Sequence, residues 1–308
     1  MKNVSIVVPC YNEEDALPSF WSEIQKIAAS LEDARFEIIF IDDGSQDNTL
    51  SILKELSAQH IEARFLSFSR NFGKEAAILA GLRAATGEYV AVMDADLQDP
   101  PSLLPEMLRI IDALECDCVG TCRVSRKGEP PIRSFFARMF YRLINMISTT
   151  KLVDGARDFR LMRRNVVNAL IAMPEYHRFS KGLYEWVGFK TKWIPYENVE
   201  RVAGETKWSF WKLLLYSLEG ITAFTTKPLA LASLLGFLFV LVSFASIVFL
   251  CARQICWHAS VSGWTSLVCI VVFFSGIQLF CIGIIGQYQA KTYMEMKRRP
   301  HYIMREQS

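Results

Sequence analysis

Two long stretches without a charged residue constrain this chain more than any other feature of its sequence. The first covers 229–250 and the second covers 265–285. As helices that rise about 1.5 Å per residue, both are long enough to cross a hydrocarbon core of about 30 Å. Helices in soluble cores seldom run so far without a charge, so we predict two transmembrane helices, over 229–250 and 265–286. A helical hairpin inside a large soluble core is the alternative.

The basic residues predict how these two helices are oriented. Those that flank the two stretches on the outside are Lys207, Lys212, Lys227, Lys291, Lys297, Arg298, Arg299 and Arg305. The connector 251–264 carries only Arg253 and His258. Because cytoplasmic segments are enriched in lysine and arginine, we expect both termini in the cytoplasm and the chain in the inner membrane. The net charge of +2 is too small to suggest a nucleic-acid partner.

The residues before 207 repeat one pattern, in which a short apolar strand is followed by a polar loop and a helix. The predicted loops are 9–14, 42–45, 70–74 and 94–98. Alternating strands and helices predict an α/β fold with a mostly parallel sheet, and ligands bind beyond the carboxyl ends of such strands. We therefore expect the four loops to converge on one cleft. The first loop lacks the glycines of an ordinary dinucleotide site.

The strongest chemical signal lies at the end of the fourth predicted strand. Asp94 and Asp96 are separated by one residue, and Pro100-Pro101 prevents the strand from continuing. Divalent cations such as Mg²⁺ are bound by carboxylate oxygens together with the phosphates of a ligand. With Arg70 and Lys74 in the preceding loop, this composition suits a nucleotide diphosphate and a metal. The alternative is a simple acidic turn, because aspartate is common where strands end.

Five motifs in order carry a family resemblance. They are Pro9-Cys10-Tyr11-Asn12-Glu13, Asp42-Asp43-Gly44-Ser45, Arg70-Asn71-Phe72-Gly73-Lys74, Asp94-Ala95-Asp96-Leu97-Gln98-Asp99-Pro100 and Asp158-Phe159-Arg160-Leu161-Met162. With the two apolar stretches and the basic tail, the chain resembles family-2 glycosyltransferases of the polyprenyl-phosphate type, such as bactoprenol glucosyltransferases and dolichol-phosphate mannose synthases. The resemblance covers nearly the whole chain and implies a GT-A fold, which is Rossmann-like.

The resemblance also implies a site for a UDP-sugar. The residues that it assigns to the nucleotide-sugar are Pro9, Tyr11, Asn12, Glu13, Asp42, Asp43, Arg70, Lys74, Asp94, Ala95 and Gln98. It assigns a metal cofactor, Mg²⁺ or Mn²⁺, to Asp94, Asp96 and Gln98. Read without the resemblance, Tyr11 and Asn12 suit a turn, and Asp42-Asp43-Gly44 suits a helix entrance. The segment 175–179 is interpreted as a lid over the donor.

The catalytic residues that the resemblance implies are Asp158, Asp96, Arg160 and Arg123. In relatives a carboxylate at the position of Asp158 is proposed as the base, and Arg160 with Arg123 is expected to grip the lipid phosphate. A phosphate monoester has a second pKa near 6, so the acceptor is mostly dianionic without a base. We therefore predict that Asp158 orients an arginine or the acceptor.

The predicted reaction is an inverting transfer of a hexose from a UDP-sugar to polyprenyl (undecaprenyl) phosphate, for cell-envelope glycosylation. The alternatives are a membrane-anchored glycosyltransferase with another acceptor and a non-catalytic UDP-sugar-binding membrane module. The predicted domains are a catalytic domain over 1–206, an interfacial amphipathic helix over 207–228, the two spans, and a cytoplasmic basic tail over 287–308. A second apolar stripe covers 134–147. The bilayer is a predicted partner, and the resemblance implies a homo-oligomer, a tetramer.

Overall fold

The chain divides into two compact units. The first consists of Met1–Gly220 with Arg299–Ser308, and the second of Ile221–Arg298. The computed structural model describes residues 1–113, 116–124, 139, 142, 145–146, 151, 153–173, 175–197, 225–257 and 263–308. Residues 207–224 of the interfacial helix predicted over 207–228, and most of the apolar stripe over 134–147, lie outside these residues.

The first unit alternates strands and helices, as its sequence pattern predicts. Its strands are β1 (Lys2–Cys10), β2 (Ala34–Asp42), β3 (Ala63–Phe68), β4 (Tyr89–Val92), β5 (Cys118–Arg123), β6 (Ala156–Arg163), β7 (Thr191–Tyr196) and β8 (Met304–Gln307). Its helices are α1 (Leu17–Ser30), α2 (Thr49–Gln59), α3 (Lys74–Ala84), α4 (Leu104–Ala113), α5 (Arg164–Ala172) and α6 (Ser180–Trp186).

The strands form one sheet in the order β7-β5-β6-β4-β1-β2-β3-β8. β1 pairs in parallel with β2 and β4, and β2 pairs in parallel with β3. β6 is antiparallel to both of its neighbours, β4 and β5. The mostly parallel sheet is confirmed. Since the central strands are parallel, their following loops emerge at one edge of the sheet.

Helices cover both faces of the central strands. On one face, Val4, Ile6 and Val8 of β1 lie in a buried cluster with apolar residues of α1 and α4. On the other face α3 packs so closely that a Cβ on Gly81 would come within 2.2 Å of the Val7 side chain. A larger residue at 81 would push α3 away from the sheet. Because α3 begins at Lys74, this packing helps to set the position of that lysine.

The last residues of the chain add an edge strand to the sheet of the first unit. β8 pairs antiparallel with β3, and the Ser308 amide donates to the Phe65 carbonyl over 3.1 Å. The Tyr302 ring stacks on Phe68 with their centroids 4.9 Å apart. The sequence predicts one basic tail over 287–308, whereas the structure divides that segment. Its first part is helical and its last residues complete the sheet, because four residues of β-type pairing and an aromatic stack hold them there.

The second unit contains two long helices, α7 (Lys227–Trp257) and α8 (Trp264–Met296). They pack together through Phe239, whose ring lies 5.3 Å from that of Phe274. In the part of the chain that the structure describes, one helix is long and apolar enough to cross a membrane, namely α7 over Lys227–Ser246 with a mean hydropathy of 2.3. The second predicted crossing, in α8, stays a prediction. Both helices extend beyond the predicted spans.

Candidate active site

The loop after β1 is fastened to the loop after β2. The Asn12 amide donates to the Ser45 hydroxyl over 3.0 Å, and the Asn12 side-chain oxygen accepts from the Gln46 amide over 2.9 Å. The Glu13 amide donates to the Thr49 hydroxyl over 2.8 Å. Asn12 has a φ of 55°, a left-handed conformation that asparagine tolerates better than most residues. Asn12 therefore acts as a turn residue that joins two of the predicted loops.

Asp42 and Asp43 hold the surrounding backbone in place. The Asp42 carboxylate accepts from the Ser45 amide over 2.9 Å and from the Ser67 hydroxyl over 2.7 Å. The Asp43 carboxylate accepts from the amides of Phe72 and Gly73 over 2.6 and 2.9 Å. Both aspartates are buried. Their oxygens are thus engaged by the protein itself, and Asp43 fixes the loop that leads to α3.

Burial dominates the titration of Asp43. Although two backbone amides favour its charged form, burial raises the pKa of its carboxyl to about 6.

The neighbouring Gly44, with a φ of 69°, allows the loop after β3 to approach closely. A Cβ on Gly44 would come within 2.4 Å of the Arg70 backbone, so this position requires glycine. The second and third predicted loops therefore pack directly against each other.

Lys74 forms ion pairs with the loop after β4 and with β6. Its ammonium lies 2.7 Å from an Asp94 carboxylate oxygen and 2.6 Å from an Asp158 oxygen. The antiparallel register that pairs Val92 with Arg160 brings Asp158 opposite Asp94 when it is continued by two residues. The structure thus brings together three predicted site residues, from the loop after β4, from β6 and from the start of α3.

Charge controls the protonation of this cluster. Burial is the largest single influence on Asp158 and disfavours its charged form, yet the charges of Lys74, Lys181 and Arg157 and the hydrogen bond from Lys74 together hold the pKa of Asp158 well below its usual range. Burial likewise opposes the charge on Lys74, but Asp158 and Asp94 hold the Lys74 pKa well above its usual value. Asp158 is therefore a carboxylate and Lys74 an ammonium throughout the neutral range.

The loop from Asp94 to Asp99 is braced by residues that the sequence analysis did not select. Arg157 donates through Nε to Asp99 over 2.9 Å and through Nη2 to the Gln98 side-chain oxygen over 3.2 Å. The Tyr196 hydroxyl also donates to Asp99. Arg157 directly precedes Asp158, and Asp99 directly follows Gln98, so adjacency to two motifs was the only available signal. The pairing itself depends on the antiparallel strand β6, which the sequence pattern did not predict.

Asp94 and Asp96 have the chemistry to hold a divalent cation. Both side chains are partly exposed, whereas Ala95 between them is buried. The Asp96 carboxylate accepts from the Gln98 amide over 3.1 Å, which fixes the turn. Among the described residues, no group of three His, Cys, Asp or Glu side chains could hold a metal. Two carboxylates on an open turn fit a cation that completes its shell with ligand oxygens, as Mg²⁺ does at phosphate sites.

The contacts described for Arg160 lie outside the cluster of Lys74, Asp94 and Asp158. The Arg160 guanidinium lies over the Tyr184 ring at 3.9 Å and 3.8 Å from Glu185, and Arg160 is 1% exposed. Arg123 ends β5, and its amide donates to the Gly155 carbonyl over 2.9 Å. Arg160 is thus covered by residues of α6 and by Trp193 of β7. Its acceptor role stays a prediction.

The predicted lid is held by the C-terminal segment. His301 makes a 2.9 Å hydrogen bond through Nε2 to the Glu175 carbonyl, and its ring stacks on Tyr176. At the other end of this segment the Ser180 amide donates to Glu75, the residue after Lys74, over 3.0 Å. The residue that follows this segment, Ser180, is therefore hydrogen-bonded to the start of α3.

The remaining predicted donor residues border the same loops. Pro9 is near the end of β1 and Tyr11 is 37% exposed just beyond it. The Arg70 guanidinium covers the Phe72 ring at 4.0 Å. These positions agree with a surface at the carboxyl ends of β1, β2 and β3, and their contact with a nucleotide stays a prediction.

Comparison with known proteins decides the family. The model for glycosyl transferase family 2 matches residues 5–171. The chain belongs to this family. The match contains the motifs at 9–13, 42–45, 70–74, 94–100 and 158–162, so the family resemblance and the predicted class of enzyme are confirmed.

Relatives match almost the entire chain. A prophage bactoprenol glucosyl transferase homolog of Escherichia coli is 40% identical over 302 residues, which are 98% of this chain and 98% of the relative. A prophage-derived bactoprenol glucosyl transferase of Shigella flexneri is 39% identical over 98% of this chain and 97% of its own length. A solved mannosyl-3-phosphoglycerate synthase of Rubrobacter xylanophilus shares the fold, with a TM-score of 0.50 and 16% identity over 72% of each chain.

Proposed function

We propose that this chain transfers a hexose from a UDP-sugar to a polyprenyl phosphate, such as undecaprenyl phosphate, at the cytoplasmic face of the inner membrane. The observation that carries the proposal is the contact of Lys74 with both Asp94 and Asp158. In this contact the loop predicted to hold the donor diphosphate lies beside Asp158, which is predicted to orient an arginine or the acceptor. The product is a lipid-linked sugar for cell-envelope glycosylation.

The acceptor is supported by the relatives. Both bactoprenol glucosyl transferases align with 98% of this chain, so the similarity extends through α7 and α8. A glycosyltransferase with a soluble acceptor has no need of such helices. An acceptor anchored in lipid presents its phosphate at the membrane surface, which is where a membrane-anchored catalytic domain can reach it.

The return of the chain to its first unit supports two membrane crossings. Residues before α7 and residues after α8 belong to the same compact unit, because β8 pairs with β3. A chain that leaves and rejoins one domain has to cross a membrane an even number of times. One crossing by α7 therefore requires a second, and α8 carries no charged residue from Trp264 to Ala290. Large side chains such as Phe237 and Phe280 are exposed on these helices, which suits contact with lipid.

The proposed reaction is a single displacement. A phosphate oxygen of the acceptor forms a bond to the anomeric carbon while the bond from that carbon to UDP breaks, so the configuration inverts. Lys74 supplies positive charge where two anions have to meet, which lowers the electrostatic cost of their approach. A divalent cation held by Asp94 and Asp96, Mg²⁺ or Mn²⁺, would offset the charge of the departing diphosphate.

Asp158 is proposed as an orienting carboxylate. Its depressed pKa makes it a weak base, and the acceptor phosphate, with a second pKa near 6, needs little deprotonation. The ion pair with Lys74 gives Asp158 a different task, which is to hold the ammonium in place. Arg123 and Arg160 remain the proposed phosphate contacts, and assembly as a homo-oligomer remains a prediction.

The test is an incubation of membranes containing the chain with a panel of UDP-sugars and polyprenyl phosphate, with and without EDTA. We expect one donor to give a lipid-linked sugar, and we expect EDTA to abolish the product. Membranes containing Asp96→Ala serve as the matched control, with the amount of protein verified by immunoblot.

The possible outcomes separate the alternatives. No lipid-linked sugar from any donor would overturn the proposal. Binding of labelled UDP-sugar without lipid product would favour a non-catalytic binding module, and a water-soluble glycosylated product would favour a different acceptor.

A further inference from the structure

A second lysine, Lys181 of α6, lies close to Asp158. Burial raises the pKa of the Asp158 carboxyl, and the Lys181 ammonium is one of the charges that lower it. Lys181 is partly exposed. Among the described residues it makes no ion pair, whereas Lys74 is paired with two carboxylates and Arg157 with Asp99. Lys181 is therefore the cation near Asp158 whose charge the described part of the protein leaves available.

Helix α6 is tied to the start of α3 at the residue before Lys181. The Ser180 amide donates to the Glu75 carboxylate over 3.0 Å, and the Ser180 hydroxyl donates to the same carboxylate. Glu75 directly follows Lys74. Since Ser180 and Glu75 are each adjacent in sequence to a lysine, their hydrogen bonds keep Lys181 and Lys74 close to each other.

Helix α6 is also held against β6 one turn after Lys181. Tyr184 lies three residues after Lys181 and therefore on the same face of the helix. The Arg160 guanidinium lies 3.9 Å from the centre of the Tyr184 ring. Burial raises the pKa of the Tyr184 hydroxyl, and the nearby charge of Asp158 raises it further. Lys181 thus lies on the face of α6 that meets the strand carrying Asp158.

We propose that Lys181 binds the phosphate of the lipid acceptor. This inference rests on the proposed function, since it names a further contact for the same acceptor. A phosphate monoester is mostly dianionic at neutral pH, and an unpaired ammonium attracts it more strongly than one that two carboxylates already neutralise. The described contacts of α6 are with β6 and α3, whereas the donor diphosphate is predicted at the loop after β4. We therefore assign Lys181 to the acceptor.

The test compares a lipid with and without a phosphate. Titration calorimetry measures the affinity of the full chain, purified in detergent, for farnesyl phosphate, farnesol and UDP. The variants are Lys181→Gln, which removes the charge, and Lys181→Arg, which keeps it. The matched control is Lys192→Gln, since Lys192 is an exposed lysine on β7. Urea unfolding verifies that each variant is folded.

We expect Lys181→Gln to weaken the binding of farnesyl phosphate about tenfold and to change the affinities for farnesol and UDP by less than about twofold. Lys181→Arg should retain most of the affinity, because a guanidinium also binds phosphate. Lys192→Gln should bind all three compounds like the unaltered chain. In the transfer assay, Lys181→Gln should raise the KM for polyprenyl phosphate about tenfold and leave the KM for the UDP-sugar unchanged.

Three results would overturn the inference. They are an equal loss of affinity for farnesyl phosphate and farnesol, a loss confined to UDP, and unchanged binding of farnesyl phosphate by Lys181→Gln. If Lys181→Gln does not fold, Lys181→Met takes its place, because methionine keeps most of the side-chain length without the charge. A chain that binds farnesyl phosphate as expected but forms no lipid-linked sugar would leave this inference standing and refute the proposed reaction.

Discussion

Two pairs of aspartates in the same sheet serve two purposes. Asp42 ends β2 and Asp43 follows it, whereas Asp94 follows β4 and Asp158 lies in β6. In the structure the Asp42 and Asp43 oxygens accept hydrogen bonds from the protein's own amides and from Ser67. Asp94 and its opposite neighbour Asp158 are held by the single ammonium of Lys74.

The two pairs of aspartates differ in whether a ligand can replace their present hydrogen-bond or ion-pair partners. The first pair is 1–2% exposed, and removing it would leave buried donors without partners. The side chains of Asp94 and Asp158 are 27% and 17% exposed, and their shared partner Lys74 is 42% exposed. A flexible lysine can exchange partners when a cation or a phosphate arrives. We therefore expect the first pair to govern stability and the second to govern reaction.

The largest effect on activity should come from the turn that carries Asp94 and Asp96. Asp96→Ala removes a proposed metal ligand, so we expect product formation to fall about 10³-fold or more. The unfolding midpoint should change little. Radiolabelled transfer to polyprenyl phosphate measures the rate, and urea unfolding followed by tryptophan fluorescence measures stability. A variant that retains a tenth of the activity would show that Asp96 is not a metal ligand.

The next effect should appear in stability. Asp42→Ala leaves the Ser45 amide and the buried Ser67 hydroxyl without their acceptor, so we expect a loss of about 2–4 kcal/mol in the free energy of unfolding. Asp94→Ala is the matched control, because Lys74 keeps Asp158 as a partner. Urea unfolding compares the two. Equal losses in both variants would contradict the distinction between the pairs.

A third effect should depend on pH. Burial raises the pKa of Asp43 to about 6, so the folded chain binds a proton between about pH 4 and pH 6 that the unfolded chain has released. Stability should therefore fall by about 2 kcal/mol as pH rises through this window and should be level above it. Asp43→Asn should lack this step. Urea unfolding of the unaltered chain and of Asp43→Asn at several pH values tests the sign, because other carboxylates cancel in the difference between the two. A difference in stability that grows as pH rises through this window would contradict it.

The smallest effect should come from Asp158→Asn. Since Asp158 stays ionised at neutral pH and its proposed role is only to orient Lys74, we expect activity to fall about tenfold rather than to vanish. The ratio of the unaltered rate to the variant rate should be constant from about pH 5.5 to 8.5. A ratio that changes with pH in the way of a titrating base would show that Asp158 accepts a proton in the reaction.

The sequence could predict the parallel half of the fold because each step is local. Apolar strands of β type, polar loops and helices follow one another along β1 to β4, and parallel strands place their loops at one edge. The match between the five motifs and a family also assigns a donor site to these loops, and that assignment stays a prediction. Loops at 9–14, 42–45 and 70–74 contact one another as their strand order requires.

The antiparallel part could not be predicted in the same way. The pairing of β6 with β4 and β5 is what brings Asp158 opposite Asp94 and Arg157 onto Gln98. Such register is a long-range property, which short motifs do not encode. For the same reason Tyr196 on β7 gave no signal. β8 was missed because four residues are too few for a periodic pattern.

The position of β8 determines when the sheet can be completed during synthesis of the chain. In the part of the chain that the structure describes, the outer edge of β3 is covered by Met304–Gln307, which the ribosome makes after both long helices. Until then β3 presents an open edge, and such edges attract other strands. The catalytic sheet therefore becomes complete only after both long helices have been made. A chain that stops a few residues early would keep its family motifs and lose the strand that closes its sheet.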